Sequence, residues 1–165
     1  MNERTKPVAY SRSEQIQFVM PQHGNRFGRL FGGQLMAWID IIAAVVAFRH
    51  SDGECTTASV DYLSFEKPIN VKALIVLDGR ITCVGNSSME IRVDTFIEHL
   101  GLVREHANRA YITYVAIDDE GRPRRVPRLE LKTDEETAEY EAGMARARLR
   151  RKRRKESFTF KKESP

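Results

Sequence analysis

The sequence predicts an α+β fold in which one long central helix is wrapped by a curved antiparallel sheet. The first observation is residues 34–48, QLMAWIDIIAAVVAF, where 13 of 15 positions are apolar. A helix that is apolar all round has no face for solvent and must be enclosed by other structure. The second is that four runs of strand composition follow, joined by connections too short for crossover helices, which is the pattern of an antiparallel sheet. The third is size: 165 residues at 41% hydrophobic content bury one core without help from disulfides or metal.

Taken in order, the N-terminal stretch MNERTKPVAYSRSEQ has no signal-peptide hydrophobic region, and no apolar run reads as a bilayer span, so a cytoplasmic location is expected. The helix begins at Gly32 and Gly33 and ends at Arg49, His50 and the SDGE stretch. It exceeds usual strand length, lacks internal turn signals, and has an Ala-rich half that admits close neighbours. CTTASVDYLSFEKP opens the strands and is punctuated by Pro68 and Asn70; VKALIVLDGRITCVG is the second, rich in β-branched residues. In SSMEIRVDTFIEH, Met89, Ile91, Val93, Thr95 and Ile97 alternate with Glu90, Arg92, Asp94, Phe96 and Glu98, predicting one buried face and one wetter face. NRAYITYVAIDDEGRP is the last strand and runs into a turn at residues 119–123. Residues 1–130 thus form the domain, and 131–165 a C-terminal polar helix and basic tail. Thr133 and Glu136 have capping-box spacing, acidic residues fill the first turn and basic ones the end, so a surface helix is expected, fraying towards KESFTFKKESP.

The formal charge of +4 divides unevenly. Residues 1–143 carry 17 basic and 21 acidic side chains, whereas 144–165 carry 10 and 2, so the high isoelectric point belongs to the tail. MARARLRRKRRK has no interleaved aromatics and matches no binding module, so a solvated helix end is expected rather than specific nucleic-acid readout. Cys55 and Cys83 form neither a CxxC pair nor part of a His/Cys cluster, so they read as reduced thiols, with no metal and no cofactor expected.

Asp40 is the anomaly, because a carboxylate in an enclosed helix is costly unless it is paired, hydrogen bonded or in contact with a cavity. Two readings stand side by side: a buried ion pair with Arg49, His23 or a partner subunit, and a functional acid. Upstream, MPQHGNRFGRLFGG gathers His23, Asn25 and the Gly32–Gly33 pair before the helix. A Gly-rich turn is commonly no more than a turn, but first-turn amides also form an oxyanion or phosphate site. Asp40 follows Gly33 by seven residues, about two turns, so the two share a helix face. A carboxylate and amide donors facing one pocket is an arrangement suited to attack on a carbonyl.

The segments HGNRFGRLFGGQLMAWIDIIAAVVAFRH, TTASVDYLSFEKPI and VGNSSMEIRV, in that order, resemble the hotdog-fold acyl-CoA thioesterases, in their bacterial short-chain acyl-CoA hydrolase branch. The resemblance covers about residues 18–127. It implies a helix wrapped by an antiparallel sheet, subunits that join their sheets, dimers that often assemble into hexamers, active sites at the dimer interface, and hydrolysis of acyl-CoA to free acid and CoA. It places the catalytic acid on Asp40, acting as general base or nucleophile; a polar residue that orients water or the thioester carbonyl on Asn25; and backbone donors on Gly32 and Gly33. His23 stands second to these as a shaping residue. Thr57 and Ser59 are candidates to face the pocket from the partner or, equally, to be satisfied edge or core hydroxyls, with Asp61 similarly ambiguous; Gly85, Asn86, Ser87 and Ser88 resemble the turn near the CoA nucleotide or pantetheine, the alternative being a simple strand-connecting turn. Part of the basic tail is a candidate for CoA phosphates. Trp38, Met36, Phe31, Leu63 and Phe65 are candidates to line the acyl tunnel.

Two rivals are carried forward. A hydratase of the same fold relies on a His with an acid on the central helix, and this helix supplies Asp40 without a His. A non-catalytic acyl-CoA-binding regulator whose basic tail touches nucleic acid predicts ligand-dependent, salt-sensitive DNA binding without turnover.

Overall fold

The computed structural model describes residues 4–162, with side chains through Glu156. The chain forms β1 (Thr5–Pro7), α1 (Val8–Ser11), β2 (Ser13–Phe18), α2 (Gly32–Ser51), β3 (Cys55–Phe65), β4 (Leu74–Val84), β5 (Ser88–His99), β6 (Val103–Ala116), β7 (Arg128–Glu130) and α3 (Asp134–Lys162). Single 3₁₀ turns stand at Pro21–His23 and Leu100–Leu102.

Strands β2, β4, β5, β6 and β3, in that spatial order, make one antiparallel sheet, while β1 and β7 pair in parallel beside it. The four strands after α2 are those the sequence predicts; β2 and β7 were not read from it. Helix α2 contacts all five strands. Five strands span about 19 Å at a spacing of about 4.8 Å, against a helix about 10 Å across, so such contact requires the sheet to curl around the helix. Leu35, Ile39, Ile42, Ala43 and Val46 bury against Ile75, Leu77, Ile91 and Ile112. At Gly79 a Cβ would stand 3.0 Å from Val46 and 3.2 Å from Ile42, so the absent side chain is what lets α2 approach β4.

α2 has 20 residues, longer than the 15-residue run, and by length and composition alone would reach across a bilayer. Its seat on the sheet makes it a core helix. Its C-terminus is fastened by Lys6 of β1, whose buried ammonium donates to the carbonyls of Arg49 (3.0 Å) and His50 (2.9 Å) and to Asp52 (2.7 Å). The expected enclosure of α2 is incomplete in one chain: Met36, Ile41 and Phe48 are 44%, 54% and 52% exposed. They form a stripe that continues onto Val60 and Phe65 of β3, the strand at one edge of the sheet.

The outer face corrects a second expectation. β5 is not half wet: Glu90, Arg92 and Asp94 are buried, like the apolar residues between them. The cover is α3, which is therefore more than a solvated surface helix. It crosses the sheet diagonally, with Glu135 on Arg80 of β4, Glu139 on Arg92 of β5, Arg146 on Glu90, and Arg150 on Glu90 and Asp61 of β3. Gly143 makes this possible, since a Cβ there would stand 2.7 Å from the Cys83 sulfur. The Thr133 hydroxyl accepts the Glu136 N–H at 3.1 Å as the capping spacing predicts, while the Glu136 carboxylate accepts from the Lys132 N–H at 2.6 Å. The backbone stays helical through Lys162, beyond where fraying was expected; residues 163–165 lie outside the described residues.

Candidate active site

Asp40 sits on the third turn of α2, half-buried, in the wall of a cavity of about 370 Å³. Gly33, Met36, Ala37 and Ile39 of α2, Thr57, Val60 and Leu63 of β3, and Ala110 and Ile112 of β6 complete the wall, so among the described residues Asp40 is its sole charged group. Asp40 makes no ion pair with any described residue. The partners that an ion-pair reading would need are engaged elsewhere: Arg49 donates to the Ser13 hydroxyl at 2.7 Å, and the His23 Nδ1 accepts the Met20 N–H at 3.1 Å.

What compensates the carboxylate is hydroxyl groups. Thr57 donates to Asp40 Oδ1 at 3.0 Å, and Tyr114 of β6 donates to the same oxygen at 2.6 Å and to the Asp40 carbonyl at 2.8 Å. Burial, followed by the neighbouring Asp40, pushes the Tyr114 phenol well above its ordinary value, so it is a neutral donor. Thr57 reaches Asp40 of its own chain, rather than from a partner as the resemblance implied. Two irregularities in β3, between Thr57 and Ser59 and between Val60 and Tyr62, bring this about. With the extra residues absorbed there, Thr57, Val60 and Leu63 pair with Tyr114, Ile112 and Ala110, all on the α2 side.

Ser59 is correspondingly displaced from the site. It donates to Asp61 at 3.1 Å, and Asp61 accepts from Thr113 at 3.0 Å and Arg150 at 2.8 Å, on the α3 side. Both residues belong to the outer charge cluster, which corrects the reading of Ser59 as a pocket residue and resolves the ambiguity of Asp61.

Gly33 shares the Asp40 cavity, whereas Gly32 and Asn25 line a neighbouring cavity of about 380 Å³ with Arg29, Leu35 and Phe65. The amides of Gly32 and Gly33 open α2 and have no acceptor within the helix by position. Phe31 caps the helix without a side-chain bond and lays its ring where a Gly33 Cβ would be, 2.5 Å away. Asn25 spends its carbonyl oxygen on the N–H groups of Phe27 (2.9 Å) and Arg29 (3.2 Å), which orients its NH₂ group as the free donor end. One chain therefore does not bring Asn25 and Asp40 into one cavity. His23 lies edge-on to Trp38 with ring centroids 4.9 Å apart, a packing role. Met36 and Leu63 line the Asp40 cavity as expected of tunnel residues, Phe65 lines the Asn25 cavity, and Trp38 is buried in the core.

Residues 85–87 are the β4–β5 hairpin loop, and Ser88 opens β5. The carbonyls of all four are taken: Ser88 accepts from Gly85, Ser87 from Ala116, Asn86 from Val126, and Gly85 from Arg128. The residue that sequence reasoning missed is Tyr114. Its signal was available in AYITYVAI, where it alternates inward with Ala110 and Ile112 and places a hydroxyl on an otherwise apolar face.

Comparison with known proteins agrees with this geometry. Residues 27–103 match the thioesterase superfamily. An uncharacterized acyl-CoA thioester hydrolase of Bacillus subtilis is 41% identical over 84% of this chain and 81% of its own length. The cytosolic acyl coenzyme A thioester hydrolase of Mus musculus is 35% identical over 88% of this chain, which spans 39% of that longer protein. Among solved structures, an acyl-CoA hydrolase of Staphylococcus aureus, in complex with butyryl coenzyme A, coenzyme A and coenzyme A disulfide, superposes with a TM-score of 0.90 at 34% identity, covering 96% of this chain and 97% of that one. Other structures of that enzyme carry alanine in place of an asparagine, an aspartate and a threonine spaced 15 and 17 residues apart. Asn25, Asp40 and Thr57 are the same residue types at the same spacing. An apo hexameric acyl-CoA thioesterase is 36% identical with a TM-score of 0.86, covering 91% of this chain and 97% of that one.

Proposed function

We propose a mechanism from one premise: the chain belongs to the thioesterase superfamily, has its hotdog fold, and is an acyl-CoA thioester hydrolase. The reaction joins water to the thioester, giving a free carboxylic acid and CoA. Asp40 is the acting carboxylate, either removing a proton from the attacking water or attacking the carbonyl carbon itself. The observation that carries this is its position: a carboxylate with no cation paired to it among the described residues, in an apolar cavity that also holds the first turn of α2. Low polarity around an ionised acid raises its reactivity, and the Gly33 N–H is placed to meet the oxyanion as the carbonyl carbon becomes tetrahedral. Expulsion of the CoA thiolate, which takes up the proton that Asp40 removed from water, completes the base-assisted reaction; after direct attack the departing thiolate leaves an acyl-aspartate anhydride, which water cleaves to the free acid while giving the thiolate its proton.

The protein acts as a homo-oligomer, and the finer arrangement we assign is a dimer through β3 and the exposed stripe of α2. An edge strand beside an apolar stripe is the surface that a second copy covers. In that dimer Asn25 of one copy is assigned to the Asp40 cavity of the other, which supplies the NH₂ donor the single cavity lacks. Residues 85–88 and part of the basic tail are assigned to the CoA nucleotide, and the mouse relative's cytosolic setting supports a cytoplasmic reaction. Thiol release from a panel of acyl-CoAs of increasing chain length tests the reading, with wild type beside Asp40→Ala. Release by wild type and a drop of at least about 100-fold in the variant is expected for loss of a general base or nucleophile. Equal rates would refute the role of Asp40.

A further inference from the structure

Both hydroxyls that meet the Asp40 carboxylate end on Oδ1, and Oδ2 accepts no hydrogen bond from a described residue. A carboxylate held by one donor still swings about its last side-chain bond. Two donors arriving at one oxygen from two different strands fix its plane. The single phenol proton of Tyr114 is shared between two acceptors of Asp40, and the carboxylate oxygen at 2.6 Å is nearer than the backbone carbonyl at 2.8 Å. The shorter length is typical of an O–H donor on an ionised carboxylate. Tyr114 itself is 2% exposed, so neither water nor ligand competes for its proton.

We infer that Tyr114 is a positioning residue of the hydrolase, clamping Oδ1 of Asp40 so that Oδ2 is the oxygen presented to water or to the thioester carbonyl. The inference rests on the role proposed for Asp40. A hydroxyl donor favours the ionised form of a carboxylate in general, so removing such a donor is a change that a pH profile reads. The other titratable group that bears on Tyr114 is Cys55 of β3, whose sulfur contacts the Ser51 hydroxyl and the Gly53 carbonyl; its thiol is raised by burial and stays neutral. The remaining cavity wall, from α2, β3 and β6, is otherwise without ionisable groups.

Tyr114→Phe keeps the ring in the core and removes only the donor. The expected result is a fall in kcat of about tenfold or more with KM within about twofold, and an acid limb of the pH–kcat profile displaced upward by about one pH unit. Tyr111→Phe is the control: three residues away on the same strand, it points to the outer face, donates to Glu139 at 3.0 Å, and its loss leaves kcat and the limb in place. Should the Phe variant not fold, fluorotyrosine at position 114, a stronger donor, moves the limb the other way, downward. An unmoved limb with kcat within twofold of wild type, in a background where Asp40→Ala is inactive, overturns the clamp and leaves Asp40's role standing. Full activity of Asp40→Ala overturns both.

Discussion

The sheet has a helix on each face, and the two faces are built from opposite chemistries. On the α2 side the cavity wall is apolar and, among the described residues, holds one carboxylate, Asp40, met by two hydroxyls and no cation. On the α3 side stand Asp61, Glu90, Asp94 and Glu139, each held by one or more arginines. Glu90 is fully buried, yet Thr82 donates to it at 2.7 Å, Arg146 at 2.8 Å and Arg150 at 2.8 Å. Burial alone therefore does not mark a working acid here. A carboxylate whose charge is answered by guanidinium groups is spent on holding α3 down, whereas one answered only by neutral donors keeps a reactive lone pair.

The sharpest way to break this contrast is to exchange readouts. Asp40→Ala is expected to lower turnover by at least about 100-fold while leaving the denaturation midpoint within about 1 kcal/mol of wild type, since no ion pair is lost. Arg146→Ala is expected to do the reverse. It costs about 3 kcal/mol in urea denaturation, because Glu90 stays buried with half its compensation gone, and leaves kcat per folded molecule unchanged. Replacing Glu90, Arg146 and Arg150 together by Met, Leu and Leu should recover much of that loss. If the triple replacement abolished turnover in a protein that still folds, the separation of the two faces would be wrong.

A smaller effect distinguishes the donors to Asp40. Thr57→Val keeps the β-branched shape and removes one hydroxyl, and about a tenfold fall in kcat is expected with little change in stability, checked by steady-state kinetics beside thermal melting. The smallest effect is pH-dependent and belongs to the outer face and the end of α2. Burial raises Asp94 and Glu139, but hydrogen bonds from Arg109, Arg92 and His106 to the first, and from Arg92 and Tyr111 to the second, outweigh it and hold both below their ordinary values of 3.8 and 4.5. Depressed carboxylates stabilise the fold above those ordinary values, and the contribution disappears as pH falls through the lower folded ones. Burial depresses His50 below its ordinary 6.5, so the unfolded chain takes that proton first and stability also falls as the medium becomes acidic. Denaturation midpoints should therefore begin to drop below about pH 6.5 and drop more steeply below about pH 4.5. A midpoint flat down to pH 4 would remove His50 from the account, and one flat down to about pH 2 would remove the two carboxylates as well.

The inner face was legible in the sequence because it follows periodicity. Thirteen apolar positions around Asp40 announce an enclosed helix, and the Gly pair two turns earlier shares its face. The outer face was misread for the same reason: Glu90, Arg92 and Asp94 alternate as a solvent face alternates, and period alone does not distinguish water from a helix carrying matching charges. β2 and β7 escaped because short edge strands carry few side chains in each face. Ser59 was misplaced because a bulge shifts every later side chain to the other face, and nothing in CTTASVDYLSF marks where the extra residue lies.

Local pattern by itself thus determined the fold class, the central helix, the four central strands and the acid at position 40, since each is a matter of which residues recur at 3.6 or 2.0 along the chain. Tertiary structure alone decided what surrounds that acid. Tyr114 lies 74 residues from Asp40 in sequence, and Arg146 and Arg150 lie 56 and 60 from Glu90. Whether a carboxylate meets a phenol or a guanidinium depends on strand register and on the path of α3, quantities set by long-range packing rather than by neighbours in the chain.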